Sequence, residues 1–342
     1  MTPTAIMGVL LMLGIVALPV GISILVQSNA LYEKTIKYGG SGNSDIDCSS
    51  GTCTATFSIT KDIDDDLYLY YELTNYFQNN IKYVASIPWD QLTGDVSQTE
   101  SELETICTSS ATTNGTASDG TDILLNPCGL VAKSFFTDKY SMDTSASTVN
   151  GATPSAVTLD ETDLVWTSSE LFAQPDGFEY AEVDSCSDTC ASVFLHTDCS
   201  CYTDSANSKY YLYYYPSDDK TTYLWEMYPG HISPIDGVKD EHFKVWMNVA
   251  ALPDFRKPYA TISGPFKDGD VVSIDIESVY DVKGTKSLVL TERYSLGLPN
   301  TGVGVTYIVS GSCCLAFAIL FLIKEKLFPR PLGSPAELNW KS

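Results

Sequence analysis

Residues 5–26 read AIMGVLLMLGIVALPVGISILV, 22 residues without a charge, and residues 303–323 read VGVTYIVSGSCCLAFAILFLI, a second uncharged run of 21. At about 1.5 Å of rise per helical residue, either run crosses a hydrocarbon core of about 30 Å. Each is therefore expected to be a transmembrane helix. The first competes with a cleaved signal peptide, because Ser28-Asn29-Ala30 offers a small-x-small cleavage site. Its apolar stretch exceeds the roughly 7–15 residues of a signal core, and no Lys or Arg precedes it, so an uncleaved anchor is the reading. The second competes with a lipid-anchor signal, which would end in its apolar tail, whereas 19 further residues follow here. Lys324, Lys326 and Arg330 come directly after the second run and place the C-terminus in the cytosol by the positive-inside bias. Two spans then return the N-terminus to the same side. The expected layout is a short cytosolic N-terminus (1–4), a first span (5–26), a lumenal or extracellular domain (27–302), a second span (303–323) and a cytosolic tail (324–342).

The chain of 342 residues carries 20 Lys and Arg against 43 Asp and Glu, a net charge of −23. Residues 27–302 hold 16 of the basic and 41 of the acidic residues, so the domain itself stands at −25. No electrostatic footprint for nucleic-acid phosphates exists, and nucleic acid is excluded as a partner. Aromatic residues at 11%, with charged residues at only 18%, also exclude a disordered acidic chain.

The domain between the spans contains eight cysteines, Cys48, Cys53, Cys107, Cys128, Cys186, Cys190, Cys199 and Cys201, an even number in an oxidising compartment. Disulfides are expected. Cys48 with Cys53, and Cys107 with Cys128, are the favoured pairs because each is isolated in sequence. The last four admit three pairings, of which the nested hairpin 186–201 and 190–199 is preferred. Zinc is the competing use of that cluster, and both spacing and compartment argue against it. Asn114-Gly115-Thr116 is a glycosylation sequon in a Ser/Thr/Gly-rich stretch, making Asn114 a candidate modification site.

Period-two alternation is strongest in GDVVSIDIESVYDV (269–282), SLVLTERYSL (287–296) and KYYLYYYP (209–216). The fold class expected is a two-span membrane protein whose domain is mainly antiparallel β, sandwich-like and disulfide-bridged, with a few helices. Helices are predicted near 68–85 and 129–136. Segments 95–122 and 141–163 read as surface loops, and 183–220 as a stapled excursion from the core.

Chemistry is conspicuous for its missing parts. His196, His231 and His242 are scattered, with no H-E-x-x-H and no G-x-S-x-G, and the cytosolic stretches are too short for a phosphorylated-aspartate engine. No catalytic residue, metal or cofactor is expected. Asp62-Ile63-Asp64-Asp65-Asp66 lacks the Gly and distal Glu of a calcium loop and reads as a solvated turn. Neither span holds an ionisable residue, so the pair makes a poor transport route alone. Ser312/Ala316 and Cys314/Ala318 offer small residues four apart, suited equally to docking a larger membrane partner and to pairing of the two spans.

Four stretches carry a family likeness: LYLYYELTNYFQNNIKYVASIPWDQLTG (67–94), NPCGLVAKSFFTD (126–138), EHFKVWMNVAALPDFRKPYATI (241–262), and YDVKGTKSLVL (280–290) leading to TGVGVTYIVSGS (301–312). Their order between two spans resembles the ligand-effect-modulator-three/cell-division-control-protein-fifty family. Its members are accessory (β) subunits of type IV P-type ATPases, the lipid flippases. The resemblance implies a non-catalytic subunit paired with such an ATPase as a hetero-dimer, next to membrane lipid, on the secretory route through endoplasmic reticulum, Golgi, endosome or plasma membrane. Within the quoted stretches, Asn75, Gln78 and Asn79 are amides suited to tying irregular loops or meeting a partner. Arg256 and Lys257 are contact candidates because cations stand out in so acidic a domain. Two departures are visible. Asn80-Ile81-Lys82 replaces the family's basic run, and the chain opens at Met1-Thr2-Pro3 where members carry a longer cytosolic tail. The rival reading is a two-span ligand-gated channel subunit of the purinergic or acid-sensing type, for which a domain at −25 is a poor receptor for ATP.

Overall fold

The computed structural model describes residues 3–108, 112–116, 122–149, 158–165, 171–187, 190–194, 196, 198–204, 208–216, 220–293 and 301–328. In chain order the first elements are α1 (Pro3–Ala30), β1 (Glu33–Gly40), β2 (Thr52–Ser58), β3 (Leu67–Leu73), α2 (Ile81–Ala85), α3 (Trp89–Leu92) and α4 (Glu100–Cys107). Next come β4 (Thr113–Thr116), β5 (Asp122–Asn126), α5 (Leu130–Lys133), β6 (Lys139–Met142), β7 (Leu159–Asp160), β8 (Glu179–Val183), α6 (Cys190–Val193), β9 (Ser200–Asp204) and β10 (Lys209–Tyr214). The last are β11 (Thr221–Tyr223), α7 (Leu224–Met227), α8 (Glu241–Met247), β12 (Phe255–Ile262), β13 (Val271–Glu277), β14 (Thr285–Thr291) and α9 (Thr301–Leu327). They form two compact units, Met1–Glu33 with Thr291–Ser342, and Lys34–Leu290.

In the first unit α1 and α9 pack against each other, each apolar and long enough to span a bilayer. The buried positions recur every seven residues: Met7, Gly14, Gly21 and Ser28 on α1, Gly304, Gly311 and Ala318 on α9. Such a repeat keeps one seam facing the partner helix. The seam needs its glycines for space. A Cβ at Gly21 would lie 2.8 Å from the Gly304 carbonyl oxygen, and one at Gly311 3.1 Å from the Ala17 Cβ. Large side chains such as Met12 and Phe317 point outward, as lipid contact requires. Of the small residues noted in the sequence, Ala318 lies in the seam and Cys314 beside it, while Ser312 and Ala316 are exposed.

The second unit is built on a five-stranded sheet, β1–β14–β3–β12–β7, and a three-stranded sheet, β2–β13–β6. β13 pairs antiparallel with β2, setting Val272, Ile274 and Ile276 opposite Phe57, Ala55 and Cys53, so that one apolar face forms by period two. β12 runs antiparallel to β3, and the register slips between Pro258 and Ala260, beside the proline that cannot donate to the ladder. Aromatic rings join the two sheets: Tyr140 of β6 meets Tyr259 of β12 at 4.5 Å and Tyr38 of β1 at 6.1 Å. Two smaller sheets, β8–β10–β9 and β11–β5–β4, complete the domain, the β11–β5 pair being parallel. A mainly antiparallel, sandwich-like domain with few helices is what the alternation predicted.

The sandwich is locked by a buried ion pair. Lys286 Nζ lies 2.7 Å from Asp138 Oδ2, with side-chain exposures of 4% and 0%. Asp138 also accepts from the Tyr38 hydroxyl and from the Val279 and Tyr280 amides, leaving no oxygen unpaired. Removing either partner of such a pair strands a buried charge, a cost of about 3–5 kcal/mol.

Two expectations are corrected. Residues 67–73 form strand β3, not the start of a helix, because Leu67, Leu69, Tyr71 and Leu73 are all buried on one face of the central sheet, and only Ile81–Ala85 is helical. Segment 95–122 is not all loop: Thr99 and Glu102 form a capping box that starts α4. Disulfides join Cys48 to Cys53, Cys107 to Cys128, Cys186 to Cys201 and Cys190 to Cys199. Cys107 and Cys128 are fully buried with Leu103 and Leu125. Gly129 follows at φ +102°, where an added Cβ would run into the Ser86 carbonyl oxygen.

Candidate interaction surface

Two loops interlock at one edge of the sandwich. β3 ends at Leu73, and Asn75 turns the chain with φ +55°, a conformation that asparagine tolerates better than most residues. Its backbone N–H donates to Asp254 at 2.8 Å, and the Tyr76 N–H donates to the Pro253 carbonyl at 2.9 Å. Gln78 is fully buried, its Oε1 accepting from the Ala250 N–H at 2.9 Å, and Asn79 Nδ2 donates to the Ala251 carbonyl at 3.0 Å. Asn80 caps α2 by accepting from the Lys82 N–H. Tyr76 anchors the whole, edge-on to Trp246 at 5.6 Å and hydroxyl to hydroxyl with Tyr280 at 2.9 Å.

The cations turn inward. Lys257 is 4% exposed, and its Nζ donates to the carbonyls of Val245, Trp246 and Asn248, each at 2.8 Å, closing the C-terminus of α8. The Trp246 ring lies 5.0 Å away. Burial pushes the Lys257 ammonium down to about 7. The three carbonyls oppose that pull, since they match the three N–H donors of the charged form. Arg256 faces Glu72 across the β12–β3 ladder and pairs with it at 2.6 Å, both half-buried. The expectation of a surface cation pair is thus corrected: Lys257 is a buried helix cap, and Arg256 is engaged within the sheet. The interlock places Asn75, Gln78 and Asn79 together, with Gln78 structural and the other two at the surface.

What this edge does present is apolar. Phe77 is 58% exposed, Ile81 85%, Leu252 67% and Trp89 59%, with Val84 one helical turn from Ile81. The hydrogen bonds between the loops bring Leu252 alongside residues 76–79. Exposed bulk of this kind makes this edge a candidate surface for a partner. From the sequence, Leu252 reads as core packing and Phe77 only as a neighbour of the amides; the signal was Phe77 and Ile81 set among amides, outside any alternating pattern. Asn114 sits on β4, and its side chain lies outside the described residues.

The sequence matches known proteins along nearly its whole length. Residues 24–331 match the model of the LEM3 (ligand-effect modulator 3) family / CDC50 family. The chain belongs to the LEM3/CDC50 family. Among similar curated members, the phospholipid-transporting ATPase accessory subunit CRF1 of Saccharomyces cerevisiae is 28% identical over 306 residues, covering 87% of this chain and 65% of that protein. The cell cycle control protein 50A of Mus musculus is 26% identical, covering 94% of this chain and 84% of its own length. The ALA-interacting subunit 3 of Arabidopsis thaliana is 23% identical, covering 99% and 85%. Three of the four stretches quoted from the sequence acquire physical roles within this family member: Asp138 and Lys286 form the buried pair, Cys128 a core bridge, and Trp246 a ring whose indole N–H donates to the Val131 carbonyl at 2.9 Å.

Proposed function

We propose that this chain is a non-catalytic accessory subunit of a type IV P-type ATPase that translocates phospholipid. The observation that carries the reading is the family match over residues 24–331, together with relatives named as accessory subunits of phospholipid-transporting ATPases. ATP hydrolysis and lipid selection belong to the catalytic partner; this chain supports its folding, its export from the endoplasmic reticulum and its activity. Both termini lie in the cytosol, supported by Lys324 and Lys326 at the end of α9, and the domain Lys34–Leu290 faces the lumen or the outside. The exposed edge of Phe77, Ile81, Trp89 and Leu252 contacts the partner's lumenal loops, burying apolar area that water otherwise meets.

A tagged copy purified in mild detergent from its own membranes tests the proposal. A single large P-type ATPase in stoichiometric yield supports it. Self-association without an ATPase, together with a ligand-evoked current from the lone chain, would replace it with the channel reading.

A further inference from the structure

Beside the sheet β8–β10–β9 lies a half-open cavity of about 900 Å³. Tyr202 of β9 and Tyr211 of β10 stand directly opposite each other on its wall. Tyr213, two residues on and therefore on the same face, packs edge-on to Trp225 with ring centres 5.6 Å apart. Glu161 and Asp236 add carboxylates to this aromatic wall, and none of the described residues lining the cavity is Lys or Arg. The surroundings add no compensating excess of cations, since the chain between the spans stands at −25. Ring faces carry negative potential, and a cation that sits against them while facing a carboxylate is held twice, by the ring quadrupole and by the charge.

We propose that this cavity binds a small organic ammonium group, of the kind carried by choline or ethanolamine, free or as a lipid headgroup. The cavity is large enough for such a group with its substituents. The site is independent of which ATPase the chain accompanies.

Saturation-transfer NMR on the choline methyl protons, with the full chain in detergent, reads the site directly. A saturable signal is expected, with no binding of the neutral isostere 3,3-dimethylbutanol. Trp225→Leu should lower the affinity at least tenfold. Because that variant removes a packed ring, Asp236→Asn at an exposed carboxylate gives a second reading and should weaken binding severalfold while leaving thermal unfolding unchanged. Competition by short-chain phosphatidylcholine below its micelle concentration separates sources: displacement of choline assigns a headgroup, and its failure assigns the free amine. Equal binding of the neutral isostere, absence of a saturable signal, or an affinity unchanged in both variants would overturn the proposal. Capture of an oligolysine peptide that choline does not displace would overturn it in favour of a protein contact.

Discussion

In the sandwich, Asp138 and Lys286 meet with almost no exposed surface and every oxygen of the carboxylate is bonded. In the sheet β8–β10–β9, nothing comparable is buried among the described residues. There Lys209 and Glu182 pair at 2.9 Å with about half of each side chain in water, and two disulfides close the segment beside the tilted rings of Tyr180 and Tyr211. One region is held by burying charge inside apolar layers, the other by covalent staples around a small aromatic core. The difference follows from size, since a three-stranded sheet cannot bury enough area to hold itself. The sandwich can be expected to unfold as one cooperative body, and the stapled sheet to respond locally.

The sharpest test of that contrast is Lys286→Met. It leaves the buried Asp138 carboxyl with a partner missing, so a loss of about 3–5 kcal/mol is expected, enough to abolish accumulation of the folded chain. Lys209→Met, breaking the exposed pair in the small sheet, should change thermal unfolding by under about 0.5 kcal/mol. Equal effects would mean that the two regions share one mode of stabilisation.

Disulfide deletion comes next. By loop entropy, the bridges Cys107–Cys128 and Cys190–Cys199 are each worth about 3 kcal/mol. The first is also fully buried against Leu103 and Leu125, and the second is not. Paired substitution to alanine should therefore cost the Cys107–Cys128 variant about 3 kcal/mol or more, read as the shift of the main unfolding transition. It should leave that transition nearly in place for Cys190–Cys199, with limited proteolysis instead opening residues 183–204.

Much of this contrast was legible in the residues. Uncharged runs announced the two helices, because no soluble loop affords 22 such residues, and Val271–Glu277 alternated because Val272, Ile274 and Ile276 face the core while Asp275 and Glu277 on the other face are exposed. β3 misled because it lies inside the sheet with most positions buried, so LYLYYEL shows little polar alternation and suits either period. The candidate surface was half visible. The amides Asn75, Gln78 and Asn79 stood out by type, but their bonds run to Ala250, Ala251 and Asp254, some 170 residues away, which no local pattern reveals. Lys257 was read as a contact candidate because cations stand out in so acidic a domain; the open carbonyls at the end of α8 explain its burial instead.

A smaller effect is expected from pH. Burial raises Asp240 to about 6, with His242 pulling it down and Asp236 and Glu161 pushing it up. Between its ordinary value of 3.8 and about 6, the folded chain holds a proton that the unfolded chain has released. Stability contributed at this position therefore falls as pH rises through that window, and the cost is complete above it. Asp240 caps α8 through the Phe243 N–H, a role asparagine fills equally well. Asp240→Asn should gain about 1–2 kcal/mol at pH 7.5 and nothing at about pH 4, seen as converging melting curves.

The smallest effect on stability should accompany the largest effect on assembly. Ile81 is 85% exposed on the first turn of α2 and Tyr180 is 55% exposed on β8. Replacing Ile81 by Asp removes almost no buried area, so that variant should unfold within about 0.5 kcal/mol of the parent, whereas Tyr180→Asp also loses ring contacts with Phe178 and Tyr211 and should cost about 1 kcal/mol. If the partner rests on the edge formed by Phe77, Ile81 and Leu252, Ile81→Asp places a charge in an apolar contact and should cut recovery of the ATPase at least tenfold. Tyr180→Asp, in the stapled sheet, should leave recovery unchanged. Loss in the second variant and not in the first would move the docking surface to the small sheet and make the sandwich a scaffold that presents it.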